Sequence, residues 1–459
     1  MFEVSWDASL IRRYDNAGPV YTAYPSPAQY QDEIHPADLL AAFGESRRLG
    51  RPLELYVHIP FCANSCHFCS CTKVITKDRS RAQPYLMALQ REIDLLSEQV
   101  TPGSAIARLH LGGGTPTFLG HADLTELMRR LRSRFALPED DMAEYSIEID
   151  PREADWSTLG LLRELGFNHL SFGVQDLDPD VQRAVNRLQS LEQTQAVMDA
   201  ARVLAYRSVN IDLICGLPRQ TPESFATTLE RVIEMKPDRL NLHRYTHLPE
   251  SFVPQRQIRE QELPTDDICL AIQGASQQRL LAAGYQFIGV GQYALPDDSL
   301  SQAREGGMLS RGLQGYVAGV ECDLIGLGVS AISRVGGLHW RNSCDLPAYQ
   351  QHLAQGRLPL RRGVRCSADD HLRRVVIQQL MCHFQLRYAD IEQRFSIDFS
   401  SYFADALGML RQMHDDGLVR LSAHGIEVLP AGCPLIARIC MEFDAYQRQP
   451  HGPRVADAR

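Results

Sequence analysis

Hydrophobic and polar positions alternate along this chain in two rhythms. Short runs rich in strand-forming residues, most of them alternating apolar and polar positions, read as strands: Leu53 to Ile59, Ile106 to Leu111, Tyr145 to Ile149, His169 to Gly173, Asn210 to Cys215, Arg239 to Tyr245 and Gln286 to Val290. Between them lie stretches of helical period: Ala82 to Leu96, Ala122 to Phe135, Thr158 to Leu165, Leu191 to Ala205, Pro222 to Met235 and Asp266 to Ala283. Strands separated by single helices favour parallel pairing through right-handed crossovers, so residues 51–290 are expected to form a parallel (β/α) barrel or an open part of one. Chemistry in such a fold gathers at the C-terminal ends of the strands.

The flanks have other patterns. Residues 1–50 are expected to be a leader that packs on the barrel, with turns at Gly18, Pro19, Pro25 and Pro27. Residues 291–364 are expected to connect the barrel to the C-terminal region and to complete the active site. From 365 to 459 three helical patterns (His371 to His383, Tyr388 to Phe395, Tyr402 to Asp416) precede two short alternating runs, Leu418 to Leu421 and Ile426 to Leu429, and a last helical stretch, Pro434 to Tyr446. Three helices and a hairpin resemble a winged-helix module.

Composition changes this picture in two places. With 47 Lys and Arg against 56 Asp and Glu, the formal charge is -9, which argues against nucleic acid as the principal partner and favours a packing or lid role for the winged-helix-like region. No apolar run reaches the roughly 18 residues that cross a bilayer, and Met1 to Tyr14 lacks the apolar core of an export signal, so a cytoplasmic location is expected. Disorder is expected only at the ends, such as His451 to Arg459. Among 12 cysteines, four crowd between Cys62 and Cys71, and crowding in a long chain without an export signal points to metal rather than disulfides. The others, Cys215, Cys269, Cys322, Cys344, Cys366, Cys382, Cys433 and Cys440, stand singly and read as small buried hydrophobes.

The crowded segment runs Tyr56-Val-His-Ile-Pro-Phe-Cys62-Ala-Asn-Ser-Cys66-His-Phe-Cys69-Ser-Cys71, directly after the first strand, where a barrel places an active-site loop. Thiolates so closely spaced can wrap one iron–sulfur cubane, and three of them leave its fourth iron open for reaction. A structural zinc knot would more usually combine two separated ligand pairs, and a ferredoxin-like carrier would need a C-x2-C-x2-C-x3-C-P run, which is absent.

Two further features lie at strand ends. Gly112-Gly-Gly-Thr-Pro116 comes directly after the second strand, where glycines let the backbone approach a ligand; a tight turn is the alternative. Glu148 and Asp150 stand two apart and share a face, suited to ribose hydroxyls, with an ion pair between Asp150 and Arg152 as the alternative.

The C-x3-C-x2-C signature is similar to that of the radical S-adenosylmethionine (SAM) enzymes, and nearly the whole chain resembles their oxygen-independent coproporphyrinogen III oxidase family. The resemblance is carried by Tyr21-Thr-Ala-Tyr-Pro25, Tyr56-Val-His-Ile-Pro-Phe-Cys62, Gly112-Gly-Gly-Thr-Pro-Thr117, Ile147-Glu-Ile-Asp-Pro-Arg-Glu153 and Gly173-Val-Gln-Asp176. It continues through Val185-Asn-Arg187, Asn210-Ile-Asp-Leu-Ile214, His247-Leu-Pro249, Gln314-Gly-Tyr316 and Gly326-Leu-Gly-Val-Ser-Ala-Ile-Ser333. Cys71 also resembles this branch; the related haem chaperones usually carry an aromatic residue there.

The resemblance implies a partial radical SAM barrel in which Cys62, Cys66 and Cys69 hold a 4Fe-4S cluster while Cys71 lies near it unligated. It implies that Tyr56, Phe68, Gly113 and Glu148 contact the cluster-bound SAM, and that Gly114, Thr115, Gln175, Arg187, Asp212, Thr246 and Ile332 hold a second SAM. Thr246 replaces the family's usual alanine, so that contact must be made by the backbone. The implied reaction abstracts hydrogen from the β-carbon of a propionate with a 5′-deoxyadenosyl radical, then releases carbon dioxide and one electron to leave a vinyl group. Repeated on a second ring, it turns coproporphyrinogen III into protoporphyrinogen IX, a step of haem synthesis. Arg187 and Lys73 are candidate propionate partners. The implied partners are a tetrapyrrole substrate and a low-potential, flavodoxin- or ferredoxin-like electron donor, with the chain acting as a monomer.

Three positions depart from the family pattern: Gly291-Gln292 in place of Asp-His, Val20 in place of arginine and Cys215 in place of tyrosine. The first removes an acid-base or pyrrole-binding element, and the second a possible propionate partner. These departures admit two other readings, a diverged paralogue acting on another tetrapyrrole by methyl transfer or decarboxylation, and a haem-binding chaperone without catalysis.

Overall fold

Alternating apolar strands and amphipathic helices produce a parallel sheet in the computed structural model, which describes residues 3–14, 23–101, 103–138 and 141–448. Val20 and the residues from His451 onward lie outside this described set. The chain forms two compact units, one from residues 30–269 with 322–365, the other from the described residues among 3–29, 270–321 and 366–448.

The first unit carries the sheet. Its strands are β1 (Leu53–Ile59), β2 (Ile106–Gly113), β3 (Glu144–Ile149), β4 (His169–Gln175), β5 (Ser208–Cys215), β6 (Arg239–Arg244), β7 (Asp323–Leu327), β8 (Ile332–Val335), β9 (Leu338–Asn342) and β10 (Leu360–Arg365). Within the unit their order is β10-β9-β8-β7-β1-β2-β3-β4-β5-β6, an open partial barrel. The pairs from β7 through β1 to β6 are parallel, and β7 to β10 form an antiparallel meander.

Helices α1 (Pro36–Leu49), α2 (Ala82–Ser97), α3 (His121–Arg134), α4 (Trp156–Glu164), α5 (Leu191–Val203), α6 (Pro222–Glu234) and α7 (Leu346–Ala354) accompany the strands. Ser190 and Thr221 start α5 and α6 with reciprocal capping boxes, which satisfy backbone donors that a helix start leaves unpaired. Leu55, Val57, Leu109, Leu111, Ile147, Phe172 and Ile211 are buried in the core, as are Leu89, Ile93, Met128, Leu159, Val197 and Val232 of the helices. The alternate strand positions line a concave face. At its N-terminal end this face carries charge: Arg108 Nε stands 3.2 Å from Glu54, and Glu144 on β3 lies 4.0 Å from Arg239 on β6. A contact across two intervening strands requires the sheet to curl, and these buried pairs make an ionic floor.

The expected boundaries at 50 and 290 need correction. Residues 30–50 belong to the sheet unit: Asp32 bridges Gly363 beside β10, and α1 lies against β8 and β9. Residues 322–365, expected as connection, supply four strands of the sheet. Gln286 to Val290 is not a further parallel strand, because Gln286–Gly289 turns back at once and pairs antiparallel with Gln292–Ala294. The reversal is local: Gly289, Val290 and Gly291 all have positive φ, at 147°, 46° and 74°.

The second unit contains that hairpin, another formed by Leu309–Gly312 with Gly315–Ala318, and the C-terminal region. Helices Ala368–His383, Tyr388–Phe395 and Ala404–Asp415 surround an antiparallel sheet of Gln385–Arg387, Gly425–Val428 and Val419–Leu421. The winged-helix-like pattern thus gains a strand at Gln385–Arg387, and Phe399–Tyr402 forms a separate turn before Ala404. Gln292, at a departing position, spends its side-chain oxygen on the Tyr316 N–H at 3.2 Å. Among the described residues no helix is long and apolar enough to cross a membrane.

One buried carboxylate ties the ends of the sheet unit together. Glu92 of α2 is fully buried and accepts from the Gly328 N–H (2.7 Å), the Asn342 amide (2.5 Å) and the Tyr349 hydroxyl (2.6 Å). Tyr85, earlier on the same helix, donates to the His58 carbonyl at 2.5 Å and accepts from Val329 N–H at 3.3 Å. The β7–β8 turn, which leads into Ile332, is thereby fastened to the end of β1.

Candidate active site

After β1 the chain turns through Pro60 into the cysteine loop, and main-chain bonds hold that loop at several points. Phe61–Cys62 pairs in parallel with Val74–Ile75, closing the loop on itself. The N–H of Val74 donates to Pro60 (2.6 Å), that of Thr76 to Cys62 (2.9 Å) and that of His67 to Val185 (2.9 Å). From the end of β2, the N–H of Gly114 donates to Ile59 and that of Thr115 to Phe61, both at 2.8 Å.

Cys66 is buried, Cys62 and Cys69 are half-buried and Cys71 is exposed. Thr115 Oγ1 donates to Cys62 Sγ at 3.5 Å, while Arg187 Nη1 and Arg152 Nη2 donate to Cys66 Sγ at 3.5 and 3.7 Å. A hydrogen bond from the Cys71 thiol lowers the Cys69 pKa and raises that of Cys71. Burial pushes the Cys62 thiol up to about 11, so binding a metal there must displace a proton. Lys73 Nζ is bonded to the Cys69 carbonyl at 3.2 Å, which gives that ammonium a place in the loop.

Beside the loop, alternate residues of consecutive strands meet on the concave face. Tyr56 stacks on His110, with ring centroids 5.8 Å apart and planes 14° off parallel, and its hydroxyl lies 3.0 Å from His58 Nδ1. Burial, then the Glu148 charge, raises the Tyr56 pKa well above the phenol range. His110 contacts Ser146 Oγ at 2.7 Å and Glu148 Oε1 at 3.2 Å. The other Glu148 oxygen accepts the Gly113 N–H at 3.1 Å. Asp150 does not join Glu148 as a free acid: it pairs with Arg152 at 2.7 Å and Arg187 at 3.0 Å, so the ion-pair alternative is the one observed.

A second polar group spans β4, β5 and β6. Asp212 accepts from Ser171 (2.7 Å), Asn210 (2.9 Å) and Asn241 (2.7 Å), with His243 Nε2 3.6 Å away. Burial alone would raise the Asp212 pKa, but His243 and the hydrogen bonds outweigh it and hold the carboxyl below its ordinary value. Gln175 ends β4 in the left-handed region, φ 68°, and Arg187 donates to the Gly173 carbonyl. Phe68 packs against the apolar cluster of Val181, Val185 and Leu217, while the Phe68 and Thr246 carbonyls share the Gln255 amide at 3.1 and 3.3 Å. Ile332 opens β8 on the far side of β1. Cys215, another departing position, is buried beside Cys269, whose carbonyl lies 3.6 Å from its sulfur.

Sequence reasoning missed His58, His110, Ser171, Asn210, Asn241 and His243. A signal was present: each stands two residues from another polar residue or a glycine near the C-terminal end of its strand, as a polar concave face demands.

The residues fit a three-thiolate cluster with a polar cofactor beside it. A Cβ at Gly112 would come within 2.8 Å of Glu148 Oε1, one at Gly113 within 2.6 Å of the His58 ring, and one at Gly114 within 2.9 Å of Cys62 Sγ. Arg187 Nε, Asn210 Oδ1 and Asn241 Oδ1 are buried without a hydrogen-bond partner, polar capacity suited to a ligand. Among the described residues no three His, Cys, Asp or Glu side chains gather closely enough for a single metal ion. A cubane is held at its corners, by thiolates farther apart than the tetrahedron of ~2.3 Å bonds around a lone zinc.

Comparison with known proteins agrees with this arrangement. The Radical SAM superfamily model matches residues 56–232, and the HemN C-terminal domain model matches residues 366–435. The chain is 54% identical over 443 residues to the oxygen-independent coproporphyrinogen III oxidase of Pseudomonas aeruginosa, covering 96% of each. It is 44% identical over 447 residues to that of Escherichia coli, covering 97% of each. The solved structure of coproporphyrinogen III oxidase (HemN) from Escherichia coli, described as a radical SAM enzyme, superposes with a TM-score of 0.92 at 43% identity, over 97% of this chain and 100% of that one.

Proposed function

Because the chain belongs to the oxygen-independent coproporphyrinogen III oxidase family of radical SAM enzymes, we propose that it converts coproporphyrinogen III to protoporphyrinogen IX. Two propionate side chains become vinyl groups, each losing one hydrogen atom, one carbon dioxide and one electron. The observation that carries this reading is the closure of the cysteine loop onto the Gly112–Thr115 turn, through Gly114 N–H to Ile59, Thr115 N–H to Phe61 and Thr115 Oγ1 to Cys62.

When bound, the 4Fe-4S cluster and SAM supply the 5′-deoxyadenosyl radical that takes the hydrogen atom. The protein's part is to bind, orient and shield. Cys62, Cys66 and Cys69 hold the cluster. The Gly112–Pro116 turn takes the amino group of the cluster-bound SAM, and Glu148, anchored by the Gly113 N–H and His110, faces its ribose hydroxyls, with Tyr56 and Phe68 as further contacts. Gly114, Thr115, Gln175, Arg187, Asp212, Thr246 and Ile332 are the residues for a second SAM. Thr246 serves there through its backbone, so its side chain in place of alanine is tolerated.

A low-potential flavodoxin- or ferredoxin-like protein delivers the electron, and the chain works as a monomer in the cytoplasm. The 12 free cysteines accord with a reducing compartment.

The deciding experiment incubates the anaerobically purified protein with coproporphyrinogen III, SAM and a low-potential reductant. Carbon dioxide and vinyl product are expected. Cleavage of SAM without vinyl product would point to another tetrapyrrole substrate, and tight haem binding without decarboxylation to a chaperone. Within the same assay, Glu148→Ala is expected to raise the KM for SAM about tenfold or more, as loss of a hydrogen bond to a charged group costs ~1.5–3 kcal/mol. An unchanged KM would remove Glu148 from the cofactor site.

A further inference from the structure

We infer that Arg152 is a tuning residue which, held by Asp150 alongside Arg187, raises the reduction potential of the cluster through hydrogen bonding to Cys66. This rests on the reading of Cys62, Cys66 and Cys69 as cluster ligands. The three sulfurs are not equivalent. Cys62 receives a neutral donor, the Thr115 hydroxyl at 3.5 Å, whereas Cys66 receives two guanidinium donors, at 3.5 Å from Arg187 and 3.7 Å from Arg152. Cys66 is also the buried one of the three, so these charges act where solvent screens them least.

Asp150 builds the arrangement. Its Oδ1 accepts Arg152 Nε and backbone N–H, both at 3.0 Å, and its Oδ2 accepts Arg152 Nη2 at 2.7 Å. The same Oδ2 accepts Arg187 Nη1 at 3.0 Å. The bidentate fork fixes the Arg152 guanidinium in its plane, which leaves Nη2 placed against the sulfur. One carboxylate between two guanidiniums leaves a net positive charge beside a ligand thiolate. An added electron on the cluster is favoured by that charge and by N–H donors to its sulfur, so both make reduction easier. Arg152 itself hydrogen-bonds to Asp150 and Cys66, and it meets Arg187 only through the shared Asp150 carboxylate.

The test is a reductive titration monitored by electron spin resonance on the reconstituted full-length protein, with iron and labile sulfide measured on the same samples. Arg152→Gln removes a cation and is expected to shift the midpoint potential to a more negative value. Asp150→Asn removes the neutralising charge but keeps a side-chain oxygen that can still accept from Arg152 Nη2, so the guanidinium stays at Cys66 and the potential is expected to shift the opposite way. Arg152→Lys keeps the charge without the fork and should fall between the parent and the glutamine variant, which keeps the test decisive if glutamine impairs folding. Opposed shifts support the inference, since a packing defect has no reason to change sign. Unchanged potentials at full cluster content, or shifts of one sign in both variants, overturn it. A parent protein that assembles no cubane overturns the ligand assignment itself, and that failure is visible before any substitution.

Discussion

Gly114→Ala is expected to empty the cysteine loop of iron and to abolish turnover. Its new Cβ would lie 2.7 Å from the Phe61 carbonyl oxygen, 2.9 Å from Cys62 Sγ and 3.0 Å from the Pro60 carbonyl carbon. Two of these are main-chain atoms that no rotamer change can move, so the turn must back away from the loop. That motion breaks the Gly114 to Ile59 and Thr115 to Phe61 bonds and withdraws the Thr115 hydroxyl from Cys62. At ~1 kcal/mol for each lost bond the site weakens by about 3 kcal/mol, roughly a hundredfold in occupancy or rate. Iron and labile sulfide per chain after anaerobic reconstitution provide the measurement. Gly120→Ala is the matched control, since a Cβ there meets only the Asp123 carboxylate at 3.7 Å. Full iron content in Gly114→Ala would show that the loop tolerates displacement of its neighbour.

Glu92→Ala should be the most destabilising single change in the sheet unit. It strips the acceptor from the Gly328 N–H, the Asn342 amide and the Tyr349 hydroxyl at a fully buried position. Buried donors left unpaired cost ~1–3 kcal/mol each, so a loss of about 3–5 kcal/mol is expected, read as a fall in Tm or in the denaturant midpoint. The same carboxyl gives a pH signature. Burial pushes its pKa up to about 7, against an ordinary ~4.3 in the unfolded chain, so the folded protein keeps a proton that unfolding releases. Its stabilising contribution is therefore complete below the unfolded value and is lost as pH rises through 7, at a limiting slope of about 1.4 kcal/mol per pH unit. Glu92→Gln cannot ionise, so its stability relative to the parent should improve between pH 5 and 8. A difference independent of pH would show that Glu92 keeps one protonation state throughout. The lowered carboxyls Asp150 and Asp212 act below this window, where stability falls as acid protonates them.

The parallel core was legible because β1 to β6 alternate apolar and polar residues over most of their length, and the cysteine loop because its thiols lie in one local run. β8 to β10 were not, and the reason is physical. In β9, His339, Arg341 and Asn342 are as buried as Leu338 and Trp340, which erases the alternation that marks a strand. The Gln286 to Val290 strand failed differently: its apolar content read as strand, but positive φ at Val290 and Gly291 reverses the chain and makes it half of a hairpin. Asp150 and Glu148 looked alike in sequence and part ways only in space, where two arginines claim one and His110 the other. Glu92 offered no sequence signal at all. It sits on a helix with ordinary acidic neighbours, and its partners arrive from residues 328–349, more than two hundred positions away.

Main-chain groups, not side chains, do most of the gripping around the cysteine loop, through Pro60, Cys62, His67, Val74 and Thr76. Exposed Asn64 and its neighbours Ala63 and Ser65 therefore act mainly as spacers, setting the distance from Cys62 to Cys66. Substitution of such spacers leaves the thiols and the glycines facing them in place. A library varied at 63–65 offers a place to alter what approaches the reaction centre without dismantling it.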